Sequence, residues 1–403
     1  MVIGIDASRA NIPEKTGTEW YAWEIIRALA PRLSAHQIRL YTREPLAPGL
    51  QQLGAHVEAR VLTWPVGILW SHLRLAWEIF WHQPDILFVP ADTIPLIHPP
   101  RTYTTIHDIA FERWPELYSR KSVQRKIGWI RPLINLAVRL FTAGRYSASE
   151  RDYHRWSVRH ALRVSRKIIT VSEFTKQELV TLLQARPDQI EVTYQGVAQP
   201  EEFNYYDQSI ITRVRQQLAL PARYFLYIGR LEAKKNIGQL IYGYQLYRQL
   251  VHQPTALVLI GRPGFGWSDV AKQLSTPTTT TGIYRLTWQP PEVLQPVLKG
   301  ARAFIFLSNY EGFGRPPLEA CSAGVPVIAA RATCLPEIIG PAALFVDHGQ
   351  PAEIAQAMLK IDNDQALRQE LISRGYQRVR QFQWSTVADQ TARILLDQTL
   401  DRK

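Results

Sequence analysis

Two short segments carry the residues best suited to chemistry. Glu311-Gly-Phe-Gly-Arg-Pro-Pro-Leu-Glu319 follows an apolar run, Phe304 to Leu307, and precedes a helical stretch. Its glycines let backbone approach a ligand closely, and Pro316 and Pro317 suit a first helical turn. A helix starting there presents free N–H groups and a positive dipole end to an anion. Glu311 stands before the turn and Glu319 inside the helix, so the two carboxylates can reach different parts of one extended ligand. The second segment, Gly229-Arg-Leu-Glu-Ala-Lys-Lys-Asn236, closes the apolar run Tyr224 to Ile228 and ends on a good N-cap residue type. Arg230 and Lys235 can converge on a diphosphate, the guanidinium as a fork and the ammonium as a point charge. Alone, the first segment also reads as a solvated turn and the second as a basic loop facing water. Both, however, sit at strand ends of one half-sheet, where doubly wound sheets bind ligands, and that favours the ligand reading.

No His/Cys/Asp/Glu group has metal-ligand spacing, so no bound catalytic metal and no resident cofactor is expected. Cys321 and Cys334 are too few for a disulfide framework, which points to a reducing cytoplasm. The chain of 403 residues is 46% hydrophobic and 20% charged, the composition of a folded protein of two to three domains. It opens without a basic stretch leading into an apolar one, and no apolar run is long enough for a membrane span. The formal charge of +12 and pI of about 9.7 ask for an anionic partner. That charge is concentrated: thirteen Lys and Arg between Ser119 and Lys167 face only Glu150 and Asp152.

The elements that must position these residues alternate. Apolar runs at 2–5, 38–41, 57–61, 86–89, 103–106 and 168–171 read as strands. Helical patterns lie at 19–33, interrupted by Pro31, and at 175–183. After a polar stretch, 198–208, the pattern restarts. Strands are read at 224–228, 256–261, 304–307 and 327–329, with helices at 237–250 and 317–323. The stretch 266–282, with its TPTTTTG, reads as a polar loop. Strand–helix alternation argues parallel sheets covered on both faces. The expected fold is therefore α/β, with two Rossmann-like doubly wound domains facing a cleft.

GRLEAKKN and YEGFGRPPLEACSAGVPVIA, together with Thr105-Ile-His-Asp108, Thr170-Val-Ser-Glu-Phe-Thr-Lys176, Leu335-Pro-Glu-Ile338 and the Trp384 region, resemble glycosyltransferase family 4 of the GT-B superfamily. The resemblance covers nearly the whole chain and is nearest the subgroup that includes O-antigen mannosyltransferases. It implies an acceptor-binding domain over 1–200, a nucleotide-sugar-binding domain over 201–380, and a helix over 381–403 that crosses back to the first domain. It also implies transfer of a hexose, with retained configuration, from a nucleotide-diphosphate sugar to a glycan or lipid-linked acceptor. The donor leans toward GDP-mannose, with UDP-sugars as the alternative.

By that resemblance Arg230 and Lys235 hold the diphosphate, Glu311 contacts donor sugar hydroxyls, and Glu319 holds the ribose. Gly312, Phe313 and Gly314 line the sugar, ahead of Arg315 and Pro316. Gly17 lies near the donor phosphates and acceptor, and His107 sits over the donor sugar. His107 and Glu311 are thus the expected catalytic residues. Without the resemblance, His107 beside Asp108 reads as a loop histidine paired with a carboxylate. Two features depart from the family. Lys15-Thr-Gly-Thr18 has one glycine where two adjacent ones are usual, and Arg315 replaces an aliphatic residue, either adding charge near the diphosphate or packing outward.

No carboxylate is placed as an obvious nucleophile, which favours front-face attack over a covalent intermediate. The alternatives are a nucleotide-sugar epimerase or sugar phosphorylase of the same fold, and a non-catalytic anion-binding protein; no nucleic-acid motif is present. Arg151, Arg155, Arg159 and Arg163 recur every four residues and form one stripe on a helix. With the apolar residues Trp129, Ile130, Leu133, Leu136, Leu140 and Phe141 upstream, they are expected to dock a cytoplasmic enzyme on an anionic membrane surface. The competing reading is a completed core with arginines facing water.

Overall fold

The computed structural model describes residues 1–65, 69–115, 149–274 and 281–397. The upstream apolar residues 129–141 and the threonines 276 and 278–280 lie outside them. The chain forms two units, Met1–Gly196 with Trp384–Lys403, and Val197–Gln383.

In the first unit, β1 (Val2–Asp6), β2 (Gln37–Thr42), β3 (Val57–Val61), β4 (Ile86–Val89), β5 (Thr102–Ile106), β6 (Lys167–Thr170) and β7 (Ile190–Val192) form a parallel sheet. Its order is β3-β2-β1-β4-β5-β6-β7. Parallel strands covered on both faces need near-continuous apolar sequence, and Ile3, Ile5, Leu87, Phe88, Ile168 and Ile169 are all fully buried. The helix Gly17–Leu29 passes into a tighter turn, Ala30–Leu33, in which Pro31 takes an early position that needs no N–H donor. The C-terminal helix Trp384–Leu396 packs on Gly17–Leu29, and Arg32 donates to Asp389 at 2.9 Å. Gly196 admits it closely, since a Cβ there would stand 2.5 Å from the Trp384 ring.

The second unit repeats the plan. β8 (Tyr224–Ile228), β9 (Ala256–Ile260), β10 (Ile283–Leu286), β11 (Ala303–Phe306), β12 (Val327–Ala330) and β13 (Ala343–Val346) are parallel, in the order β10-β9-β8-β11-β12-β13. The chain enters and leaves this unit side by side. Val197 N donates to Phe382 O at 3.0 Å, and the Gln199 amide reaches the Val379 and Phe382 carbonyls. The sheet order reverses direction between β1 and β4 in one unit and between β8 and β11 in the other, and such switch points are where doubly wound sheets open a crevice at the carboxyl ends of their strands.

The described residues hold elements beyond those expected, among them the helices Gln208–Gln217, Pro291–Lys299, Pro351–Asn363 and Gln365–Val379. The short strands β7, β10 and β13 were not foreseen. The stretch read as a loop from Gly266 contains a helix, Trp267–Gln273, started by Gly266 at φ 78°.

Candidate active site

Both expected motifs lie at the β8/β11 switch point. β8 ends at Ile228, just before Gly229, and the Tyr227 hydroxyl donates to Arg230 O at 2.8 Å. The loop after β9 is packed onto this turn. A Cβ on Gly261 would lie 1.8 Å from the Gly229 carbonyl oxygen, so only glycine permits the approach. Ala233–Lys235 make one tight helical turn before the helix Ile237–Gln249. Asn236 holds the N-cap position, but not as an N-cap side chain. Its φ is 58°, it caps no helix N–H, and its amide donates to His348 O at 2.8 Å.

The loop after β11 is tied to this turn through backbone. Asn309 N donates to Lys234 O at 2.9 Å, and the Ser308 hydroxyl donates to the same oxygen at 3.2 Å. That lacing brings the Lys235 ammonium onto the Glu311 carboxylate. Both side chains are largely shielded, 17% and 14% exposed, and the pair is correspondingly less screened than a surface one. Two contacts from the following loop fix the Glu311 backbone. Glu311 N donates to Thr333 Oγ1 at 3.3 Å, and Cys334 Sγ donates to Glu311 O at 3.2 Å. Burial, chiefly, and then the charges of Glu311 and Glu337 push the Cys334 thiol far up, so it stays a neutral donor.

Gly312, Phe313 and Gly314 are buried. The Phe313 ring meets Phe382 edge-on at 5.7 Å. Gly314 turns at φ 85° and starts the helix Arg315–Ser322, with Pro316 and Pro317 in its first turn. Arg315 Nε lies 2.6 Å from Glu319 Oε1, an ion pair. Arg315 therefore does not simply pack outward: it places a guanidinium on the carboxylate expected to hold ribose. Arg230 is set apart, 64% exposed and 3.6 Å from Glu232, so its fork is not engaged with the Lys235–Glu311 pair.

Gly17 and His107 belong to the first unit. Gly17 opens its helix, where Thr16 N donates to Glu19 Oε2 at 3.1 Å, and nothing lies within 4 Å of a Cβ placed on Gly17. Tyr21 on that helix meets the His107 ring edge-on at 4.7 Å. His107 Nε2 lies 3.2 Å from Pro90 O, which assigns the proton to Nε2. Burial lowers its pKa despite that bond and the nearby carboxylates, so the ring is neutral at neutral pH. The Asp108 carboxylate accepts from Ala110 N at 3.0 Å, and its charge acts on His107 against the effect of burial.

The sequence reading missed a polar cluster at the β1/β4 switch point. Asp6 ends β1, accepts from Ser8 N at 2.9 Å, and is raised by burial against the pull of Ser8, Arg9 and Arg43. Asp92, after β4, lies 3.8 Å from His154. Burial alone would raise Asp92, but hydrogen bonding and charge from His154, with Arg9, hold it below the ordinary value. His72 stands between Ile94 O, at 3.1 Å, and the Tyr153 hydroxyl, at 3.2 Å. An acid closing a buried first strand is the one sequence signal that could have pointed here.

The arginine stripe lies on the helix Glu150–Val164, but it is not all open surface. Arg155 donates to Glu112 at 2.8 Å, and Arg159 lies 3.9 Å from the same carboxylate, because the turn at Glu112 faces this helix. Arg159 and Arg163 are exposed, while Arg151 and Arg155 are half-buried. Among the described residues no group of three His, Cys, Asp or Glu could hold a metal ion, and no helix is long and apolar enough to cross a membrane.

Two doubly wound parallel sheets give the chain an α/β fold of the GT-B class, shared with solved glycosyltransferases. HepE from Anabaena, solved with UDP and glucose, shares the fold at a TM-score of 0.65 and 20% identity, over 100% of this chain and 99% of that one. Sucrose-phosphate synthase from Thermosynechococcus elongatus does so at 0.70 and 18%, over 98% of both chains. Residues 15–198 match the model of Glycosyltransferase Family 4 and residues 210–378 that of Glycosyl transferases group 1. O-antigen chain mannosyltransferase B of Escherichia coli is 28% identical over 380 residues, 93% of this chain and 94% of that protein. The serotype-specific mannosyltransferase WbdA of Escherichia coli is 27% identical over 232 residues, 55% of this chain but only 27% of that protein. The chain belongs to the family 4-like GT-B glycosyltransferases.

Proposed function

We propose that this glycosyltransferase moves mannose, with retention, from GDP-mannose to a glycan or lipid-linked acceptor. The observation that carries the reading is the Lys235–Glu311 pair at the β8/β11 switch point, beside the N-terminus of the helix Arg315–Ser322. A cation and a hydroxyl acceptor held side by side suit the two halves of a sugar diphosphate. Lys235, joined by Arg230, takes the diphosphate; Glu311 accepts from sugar hydroxyls; Glu319, steadied by Arg315, takes the ribose. The mannosyl assignment is supported by the two mannosyltransferase relatives.

In the proposed step the bond between the anomeric carbon and the diphosphate oxygen breaks. The acceptor oxygen bonds that carbon on the same face, and its proton passes to the departing diphosphate. Lys235, Arg230 and the helix N-terminus stabilise the developing charge as preorganised electrostatics, without a metal ion. Neutral His107 is suited to bonding a sugar hydroxyl, and the Asp6–Asp92–His154 cluster is suited to the acceptor's hydroxyls. The reading places the enzyme in the cytoplasm, at the inner membrane face.

The test is a thermal-shift panel of GDP-mannose, UDP-glucose and ADP-glucose. GDP-mannose should raise Tm most. A larger shift with another donor overturns the mannosyl assignment, and no shift with any donor overturns the donor site.

A further inference from the structure

Among the described residues of the first unit, four exposed apolar side chains gather on one short helical segment away from the candidate active-site residues. A π-helical stretch, Trp70–Leu75, runs into the helix Ala76–Trp81 ahead of β4. Its inner face buries Trp70, Leu75 and Ile79. Its outer face carries Leu73 at 45% exposure, Trp77 at 61%, Phe80 at 58% and Trp81 at 63%. These positions are spaced three and four apart, so they form one stripe. The three rings touch: Trp77 to Phe80 at 6.5 Å, Trp77 to Trp81 at 6.0 Å, and Phe80 to Trp81 at 5.0 Å. Contiguous exposed apolar surface of this kind marks an interaction site.

We propose that Leu73, Trp77, Phe80 and Trp81 insert into the interfacial layer of an anionic lipid bilayer and hold the segment in the membrane plane. Three observations select a bilayer. First, the stripe is tryptophan-rich, and indole prefers the headgroup boundary, where one edge is wet and the ring apolar.

Second, the segment shows the membrane no free carboxylate. Its one acid, Glu78, is buried and ringed by His82 at 3.3 Å, Arg74 at 3.5 Å and Arg60 at 3.9 Å.

Third, the adjoining element is basic. His72, on the inner face, meets the Trp156 ring at 4.9 Å and the Tyr153 ring at 5.8 Å, which joins the segment to the helix Glu150–Val164. Arg159 and Arg163 stand exposed on that helix. An aromatic stripe on a segment joined to a helix that carries exposed arginines matches the polarity and charge profile of an anionic interface. Arg159 and Arg163 are thus the electrostatic complement of the anchor, and the aromatic stripe is the anchor itself.

Co-sedimentation of the full chain with vesicles of phosphatidylcholine and phosphatidylglycerol, at low and high salt, tests this. The parent should bind at low salt and keep a bound fraction at high salt. Trp77→Ser/Phe80→Ser/Trp81→Ser should lose at least tenfold in partitioning at both salt levels, with its melting temperature and donor-induced thermal shift unchanged. Arg159→Gln/Arg163→Gln should lose only the low-salt enhancement. Should the triple variant fold poorly, Trp81→Ser alone should lower the high-salt fraction severalfold. Equal binding by parent and aromatic variants overturns the proposal. So does a parent that ignores vesicles and forms a dimer that the triple variant abolishes, which would make the stripe a contact between copies. A failed donor panel leaves this result standing, since vesicle binding requires no donor.

Discussion

The ammonium of Lys235 rests on the carboxylate of Glu311, joining the turn after β8 to the turn after β11 across the switch point of the second sheet. In the proposed complex the donor takes both groups over, the diphosphate engaging Lys235 and the sugar hydroxyls Glu311. Lys235→Ala and Glu311→Ala should each weaken donor binding about tenfold or more, since truncating one partner of a shielded pair leaves the other unbalanced. The double variant should lose less than the sum of the two in free energy. Calorimetric titration of the four proteins checks this, and strict additivity would show that the two residues act independently.

Glu319 and Arg315 yield a second prediction. Their 2.6 Å ion pair suits Arg315 to position the carboxylate that is proposed to take the ribose. Glu319→Ala should raise Kd for nucleoside diphosphate as well as for donor, with the melting temperature held. Arg315→Lys keeps a cation but loses the fork, and should raise Kd less than Arg315→Ala does. Unchanged nucleotide affinity in Glu319→Ala would remove that residue from the site.

Two glycines should behave oppositely. Gly314 sits at φ 85°, with Leu335 Cδ2 2.5 Å from a would-be Cβ. Gly314→Ala should cost about 1–2 kcal/mol from the left-handed backbone alone. Gly17→Ala meets nothing within 4 Å and should leave denaturant stability unchanged while lowering turnover. Chemical denaturation of both variants, beside a transfer assay, separates fold from function.

His72 makes stability pH-dependent. Burial, and then the charge of His160, lower its pKa from 6.5 to about 4. The unfolded chain binds this proton near pH 6.5 and the folded chain only near pH 4. The stabilisation is therefore present above 6.5 and is lost as pH falls through that window. Its full size is about 3 kcal/mol by linkage. Denaturation at pH 7 and pH 5 should show a loss in the parent that is smaller in His72→Gln, and parallel losses would contradict the assignment.

Much of the fold was legible because buried parallel strands write themselves as apolar runs, as Tyr224–Ile228 and Ile86–Val89 do. β7, β10 and β13 are short edge strands; Glu191 interrupts the first and Arg285 the second, whereas Ala343–Val346 is an unbroken apolar run too short to stand out. The segment Trp70–Trp81 carries apolar residues on both faces, so no single amphipathic stripe announces it. Asn236 looks like an N-cap by type, but its left-handed backbone is held by His348 O, 112 positions away. Asp6, Asp92 and His154 lie in three separate elements, and only the fold brings Asp92 to His154 and both acids under the charge of Arg9. The Lys235–Glu311 pair was read as two ligand contacts, and only the backbone lacing at Asn309 reveals them as each other's partner.

Transfer chemistry is the central claim, and the anomeric configuration of the product tests it most directly. The enzyme would be incubated with GDP-α-mannose, a membrane-lipid acceptor fraction and a chelator, and the new linkage read from the one-bond carbon–proton coupling at the anomeric centre. An α-linked mannosyl product formed in the presence of the chelator is the predicted result. A β-linked product, a strict need for added divalent ion, or donor converted to another nucleotide sugar without any acceptor would contradict it.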